Sequence, residues 1–264
     1  ETVIDTSPGT FRVGRKVIRE YRGHDYGTMD LAKLLQKSSN VGSAKIALMM
    51  EPRDYWRVLD QAGFGESTGS NFPGEGAGVL RDYARWGEMG QAILSYGYGV
   101  NMTPLQLARA YTALAEDGMV RPITFLQSAQ GIGDDEARRV FSAETARNVR
   151  LMMEGVTQEG GTAKRARVKE YRVAGKTGTV NKLVGGRYKD KEGKNFGHTT
   201  LFAGLAPVEA PRIVVVVVVD DPKGKKDTGG AVAAPVFSEV MGGALRVMGV
   251  PPEVADREVN QAHG

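Results

Sequence analysis

Apolar residues recur every three or four positions through the first half of the chain, whereas the last third carries them in alternating or unbroken runs. The first spacing belongs to helices with one buried face, the second to strands. Thr28 is placed to cap a segment whose Leu31, Leu34 and Leu35 share a face, and residues 41–50 continue that pattern. Glu51-Pro52 opens a further helix, which Gly63 ends. Thr103-Pro104 is a stronger start, pairing a capping hydroxyl with a proline whose missing N–H has no partner to lose in a first turn. Leu107, Tyr111 and Leu114 follow at core spacing until Gly118. Ser142 caps a helix carrying Val149, Met152, Met153 and Val156, which Gly160-Gly161 closes.

In the last third, residues 171–180, 199–208 and 212–220 read as strands, and 231–248 as a helix. The third strand holds six consecutive valines, a β-branched run that suits burial on both faces. Residues 1–27 are extended and turn-rich, broken at Pro8-Gly9 and Arg22-Gly23, and residues 63–78 form a glycine-rich loop. Helices first, then a strand cluster with a closing helix, predict an α+β fold. The expected organisation is a helical lobe over about 28–160, a sheet and closing helix over about 171–248, and a polar tail at 253–264.

Composition narrows the function classes. The 264 residues are 41% hydrophobic and 25% charged, an ordinary globular balance. No apolar run approaches the length of a membrane span, and no basic-then-apolar signal segment opens the chain. With zero cysteines there is no disulfide, thiolate ligand or cysteine nucleophile. His24, His198 and His263 are scattered with no partner at ligand spacing, so no metal is expected, and no cofactor motif is present. From Glu159 to Lys194, eleven Lys or Arg stand against four Asp or Glu. Such a run is more often a solvated face than a binding surface. As a binding surface it suits a small anionic or carboxylate-bearing substrate better than nucleic acid, because few aromatics interleave it and no nucleic-acid motif accompanies it.

The stretch AGKTGTV at 174–180 raises a sharper question. A phosphate loop needs a glycine five residues before the Gly-Lys pair, and that position holds Glu170. The residues after Lys176 are strand formers rather than helix openers, so the phosphate-loop reading fails. Lys-Thr-Gly on a strand instead resembles one part of the motif set of penicillin-binding proteins and serine β-lactamases. There a glycine lets a substrate backbone lie along the strand. Threonine hydroxyls and the lysine charge can receive a carboxylate. Ser38-Ser39-Asn40, between two helical segments, supplies a hydroxyl and an amide of the second motif. Each triad alone is weak, since Ser-Ser-Asn recurs as a helix cap and Lys-Thr-Gly as an edge-strand lysine. Together and in this order they point to a site.

QKSSNVGSAKIAL, YGYGVNMTPLQLARAYTALAEDG, VAGKTGT and LFAGLAP resemble the transpeptidase domain of class B penicillin-binding proteins, nearest to the septal, penicillin-binding protein 3-like branch. Asn40 suits that division branch. The resemblance runs from about Asp5 through Pro252, and the long YGYG to ARAY block is its most specific part. It implies the penicillin-binding-protein/serine β-lactamase-like fold, an antiparallel sheet with helices plus an all-helical lobe. It implies a septal peptidoglycan D,D-transpeptidase that cross-links stem peptides through a serine acyl-enzyme and is acylated by β-lactams.

By motif, Ser38 would relay a proton, Asn40 would hold a substrate carbonyl, and Lys176 would supply charge beside Ser38. Thr177 and Thr179 would engage the substrate carboxylate across Gly178, and the Thr179 N–H would be one oxyanion donor. Implied partners are stem peptides, the lipid-linked precursor, β-lactams, and division-complex membrane proteins including a SEDS-family glycosyltransferase. The implied location is the periplasmic face of the inner membrane.

The sequence departs from that family at two points. No serine is followed three residues later by lysine, and Ser43-Ala44-Lys45 is one residue short. The nucleophile, its lysine and the second oxyanion donor are therefore expected outside these 264 residues, with the membrane anchor and a non-catalytic N-terminal domain. Asp227-Thr228 also precedes Gly229-Gly230 where relatives often carry an aromatic pair. Two other readings compete. A β-lactamase would need a Glu-x-x-Leu-Asn pattern that is absent, and a non-catalytic scaffold would have no use for Ser38, Asn40 and Lys176 together.

Overall fold

The computed structural model describes residues 2–126, 137–190, 192–193, 195–224 and 227–253, so most of the expected polar tail lies outside the described residues. Two compact units divide the chain, Glu1–Asn148 and Val149–Gly264.

The first unit opens with two small antiparallel pairs. Strand β1 (Val3–Asp5) pairs with β4 (Thr28–Asp30), and β2 (Thr10–Val13) pairs with β3 (Lys16–Arg19). Gly14 takes the left-handed φ of 55° that the β2–β3 turn requires. Helices α1 (Leu31–Lys37) and α2 (Asn40–Leu48) follow, and Asp30 rather than Thr28 caps α1 by accepting from the Lys33 N–H. Val13 and Ile18 of the hairpin bury against Val41 and Ala44 of α2 and Ala92 of α4 (Glu88–Leu94). The buried Gln91 amide of α4 donates to the Ala47 and Met50 carbonyls at 2.8 Å each, satisfying the end of α2.

Helices α3 (Pro52–Gln61) and α5 (Pro104–Ala115) start on proline as the sequence predicts, and α5 has the full Thr103/Gln106 capping box. Gln106 also donates to the Glu66 and Ala77 carbonyls, which ties the glycine-rich loop to the helix. The short pair β5 (Met119–Val120) and β6 (Arg138–Arg139) precedes α6 (Ala143–Glu154), within which the unit boundary falls.

The second unit is a three-stranded antiparallel sheet in the order β7 (Ala174–Asn181), β8 (His198–Ala206), β9 (Ile213–Asp220), packed against α7 (Gly229–Val247). Phe202 of β8 meets Phe237 of α7 edge-on at 4.6 Å between ring centroids, with Met241 and Leu245 completing a buried apolar core. The valine strand departs from the sequence expectation. Ile213, Val215 and Val217 of β9 pack toward α7, but Val218 is 38% exposed and the strand is only partly buried. Among the described residues β9 has a neighbour on one side only. A β-branched run reports strand preference; it does not report whether both faces are covered.

Five cations of the basic segment have partners within this unit. Lys164 pairs with Glu159, Arg165 and Arg167 donate to the Ala231 and Thr157 carbonyls, and Lys182 pairs with Asp220 at 2.6 Å. Arg172 bridges Glu154 and Glu209, an arrangement that raises its already high pKa. The local excess of charge therefore serves the fold in good part.

Candidate functional site

Ser38 and Asn40 belong to the first unit, and Lys176, Thr177, Gly178 and Thr179 to the second. In the first unit, Ser38 ends α1 in the left-handed conformation, with φ 57° and ψ 49°. A serine rarely adopts it, and here two closing bonds enforce it: the Ser38 and Ser39 N–H groups donate to the Leu35 and Leu34 carbonyls at 3.2 Å. Ser39 is buried and caps α2, accepting from the Gly42 N–H at 2.9 Å. Asn40, half-buried, begins α2. Its side-chain amide donates to the Arg19 carbonyl at 3.0 Å, which orients the group while an amide nitrogen retains a second hydrogen.

Beneath this turn lies Glu20, only 3% exposed. One carboxylate oxygen accepts from the Ser39 hydroxyl and, at 3.3 Å, from the Val41 N–H. The other accepts from the Asn40 N–H at 2.8 Å. Sequence reasoning missed Glu20. It sits 18 residues before Ser38 at the end of a short strand, and nothing in its local pattern marks it.

In the second unit, β7 carries Lys176, Thr177, Gly178 and Thr179 opposite Ala203, Phe202, Leu201 and Thr200 of β8. Among the described residues, β8 is its only strand neighbour. Gly178 is required by the protein itself. A Cβ there would stand 2.8 Å from Leu201 Cγ, and Gly229 at the start of α7 must be glycine too, because a Cβ on it would stand 2.6 Å from the Gly178 carbonyl oxygen. The Gly229 N–H donates to the Thr179 hydroxyl oxygen at 3.1 Å. That hydroxyl thus accepts from the protein and keeps its hydrogen to donate outward, as a carboxylate acceptor would need. The Thr177 hydroxyl lies 3.1 Å from that of Thr162, a partner the sequence did not indicate. His198 and Asp227 pair at 2.8 Å, so the departure at Asp227 has a local role in holding the segment that leads into α7.

Lys176 donates to the Thr177 carbonyl at 3.1 Å. The residue as a whole is half-buried, yet its ammonium end is desolvated, and burial lowers its pKa from 10.5 to about 8. It is mostly cationic at neutral pH and close enough to its midpoint to exchange a proton. Among the described residues no group of three His, Asp or Glu side chains could hold a metal ion, and no helix is long and apolar enough to cross a membrane.

The family model "Penicillin binding protein transpeptidase domain" matches residues 1–242. A probable peptidoglycan D,D-transpeptidase PenA of Neisseria flavescens is 41% identical over 242 residues, covering 92% of this chain and 58% of that protein. The peptidoglycan D,D-transpeptidase FtsI of Escherichia coli K12 is 38% identical over 253 residues, covering 96% of this chain and 41% of that protein. The chain thus spans about half the length of these relatives. The apo structure of the transpeptidase domain of Burkholderia pseudomallei penicillin-binding protein 3 superimposes with a TM-score of 0.85 at 41% identity, covering 96% of this chain and 74% of that one.

Proposed function

Because the chain belongs to the penicillin-binding-protein transpeptidase family, we propose that the full-length protein is a septal peptidoglycan D,D-transpeptidase and that this chain supplies its second and third motifs. A serine hydroxyl attacks the carbonyl between the two terminal D-alanines, the C–N bond breaks, and the departing D-Ala amine takes a proton. An acceptor amine from a neighbouring stem then attacks the ester and returns the serine, leaving a new amide cross-link. The serine with its following lysine is not among the 264 residues.

The observation that carries this reading is strand β7. It combines a lysine held to a pKa of about 8, a hydroxyl at Thr179 whose oxygen is already occupied by Gly229, and an edge with no second strand among the described residues. Lys176 supplies charge and a mobile proton, Thr177 and Thr179 receive the substrate carboxylate, and Gly178 keeps the strand surface low. Ser38 relays a proton, and Asn40 holds the substrate carbonyl with its remaining amide hydrogen. β-Lactams are partners through the same acylation, stem peptides and the lipid-linked precursor through the reaction. The similarity to FtsI supports a place among division-complex membrane proteins, including a SEDS-family glycosyltransferase, at the periplasmic face of the inner membrane.

The test is to incubate the full-length protein with a fluorescent penicillin, denature it, and read the label by gel and intact mass. One stable adduct per chain, suppressed by unlabelled penicillin, is the expected result. Rapid turnover of the drug without a lasting adduct would make the protein a β-lactamase. A folded protein with no adduct and no turnover would make it a scaffold.

A further inference from the structure

We propose that Glu20 is a positioning residue for the second motif: its buried carboxylate holds the Ser38-Ser39-Asn40 turn in the geometry the reaction uses. The role rests on the transpeptidase reading above, but the contacts stand independently of it. Glu20 is 3% exposed and 18 residues upstream of Ser38, and its carboxylate accepts from three consecutive residues, Ser39, Asn40 and Val41. A buried carboxylate is strongly disfavoured unless fully hydrogen-bonded, and this one receives three donors. Two of those donors are among the N–H groups at the start of α2 that no helical carbonyl can satisfy, where negative charge also meets the positive end of the helix dipole.

The geometric consequence falls on the motif. Asn40 is gripped at both ends by adjacent residues of one strand end: its backbone N–H by Glu20 and its side-chain amide by the Arg19 carbonyl. Ser39 is gripped through its hydroxyl by Glu20, and through its backbone N–H by the Leu34 carbonyl. Ser38 lies between the end of α1 and this anchored pair, so its left-handed conformation is fixed from both sides. An uncommon backbone conformation of this kind persists only where its surroundings over-determine it. Glu20, together with the Arg19 carbonyl, supplies the part of that constraint that comes from outside the two helices.

The replacement Glu20→Gln keeps the shape but puts an NH2 group against at least one backbone N–H. Glu20→Asp keeps the charge with a shorter reach. Two measurements are made. In the full-length protein, the Asn40 and Val41 amide protons are expected well downfield, as for bonds to a carboxylate, and are expected to return toward ordinary positions in Glu20→Gln. In the full-length protein, acylation by fluorescent penicillin is expected to slow about tenfold or more in Glu20→Gln, the loss of a charge-assisted bond. Glu20→Asp is expected to recover part of that rate.

Ordinary amide positions in the unmutated chain would overturn the proposal without any variant being needed. So would full acylation in a Glu20→Gln protein that has lost the downfield signals, since Glu20 would then be a helix cap alone. A folded Glu20→Asp protein no faster than Glu20→Gln would overturn it too. If Glu20→Gln fails to fold, Glu20→Asp against the unmutated protein decides by the same two readouts. Absence of any adduct in the unmutated protein would instead sink the transpeptidase reading and leave the amide result standing.

Discussion

The two motif regions are held in place by different means. Strand β7 is set by a repeating ladder, eight residues paired one to one with β8, and by close packing that leaves room only for hydrogen at Gly178. The Ser38-Ser39-Asn40 turn has no ladder. It is held by helix-end bonds and by one buried carboxylate from a strand far back in the chain. A ladder distributes its constraint, so single side chains in it are replaceable unless they touch the reaction or another backbone. A capped turn concentrates its constraint in a few polar groups, each of which matters to its geometry.

The largest effect is expected at Lys176, where structure and chemistry oppose each other. The folded protein holds this ammonium at a pKa of about 8 against 10.5 in the unfolded chain, so the unfolded chain binds the proton more tightly. Stability should therefore rise as pH climbs from about 8 toward 10.5, with the full penalty present below 8. Lys176→Met is expected to lower the acylation rate of the full-length protein by about a thousandfold, as loss of a preorganised charge does. The same change should raise stability at pH 7 by on the order of 1–3 kcal/mol by removing a desolvated charge. Penicillin labelling and urea titration read the two effects, and a variant both slower and less stable would break the comparison.

Next in size is Gly178→Val, which drives a side chain into Leu201. It is expected to destabilise by about 1–3 kcal/mol through overpacking, read as a lower denaturation midpoint. Ser39→Ala removes the α2 cap and the Glu20 partner and should cost about 1–2 kcal/mol by the same titration. The smallest effect belongs to His198→Ala. Its pair with Asp227 is partly exposed and worth less than about 1 kcal/mol, so the midpoint should hardly move.

How much of this was legible follows from the same contrast. Starts such as Thr103-Pro104, and the β character of 174–180 and 213–220, are local properties, and the sequence shows them. The site residues Lys176, Thr177, Gly178 and Thr179 were readable because a strand keeps its motif contiguous. Glu20, Thr162 and Gly229 were not, because each acts through a partner 15 to 50 residues distant, the pairs being Glu20–Ser39, Thr162–Thr177 and Gly229–Thr179. The burial of β9 was over-read for a related reason: six valines say strand, and only the sheet order shows that the strand has one neighbour among the described residues. Asp30 displaced Thr28 as the cap of α1 because the helix begins at Leu31, directly after Asp30, which leaves Thr28 two residues short of the capping position.

The central claim is that Lys176 acts on β7 as a cation poised near its midpoint. Its most direct test is the pH profile of acylation by a chromogenic cephalosporin in the full-length protein, for the unmutated lysine and for Lys176→Arg. The account predicts a fall in rate as pH rises through about 8 with lysine. It predicts no such limb with arginine, which stays protonated throughout the range. A limb at the same pH in both proteins, or none with lysine, would contradict it.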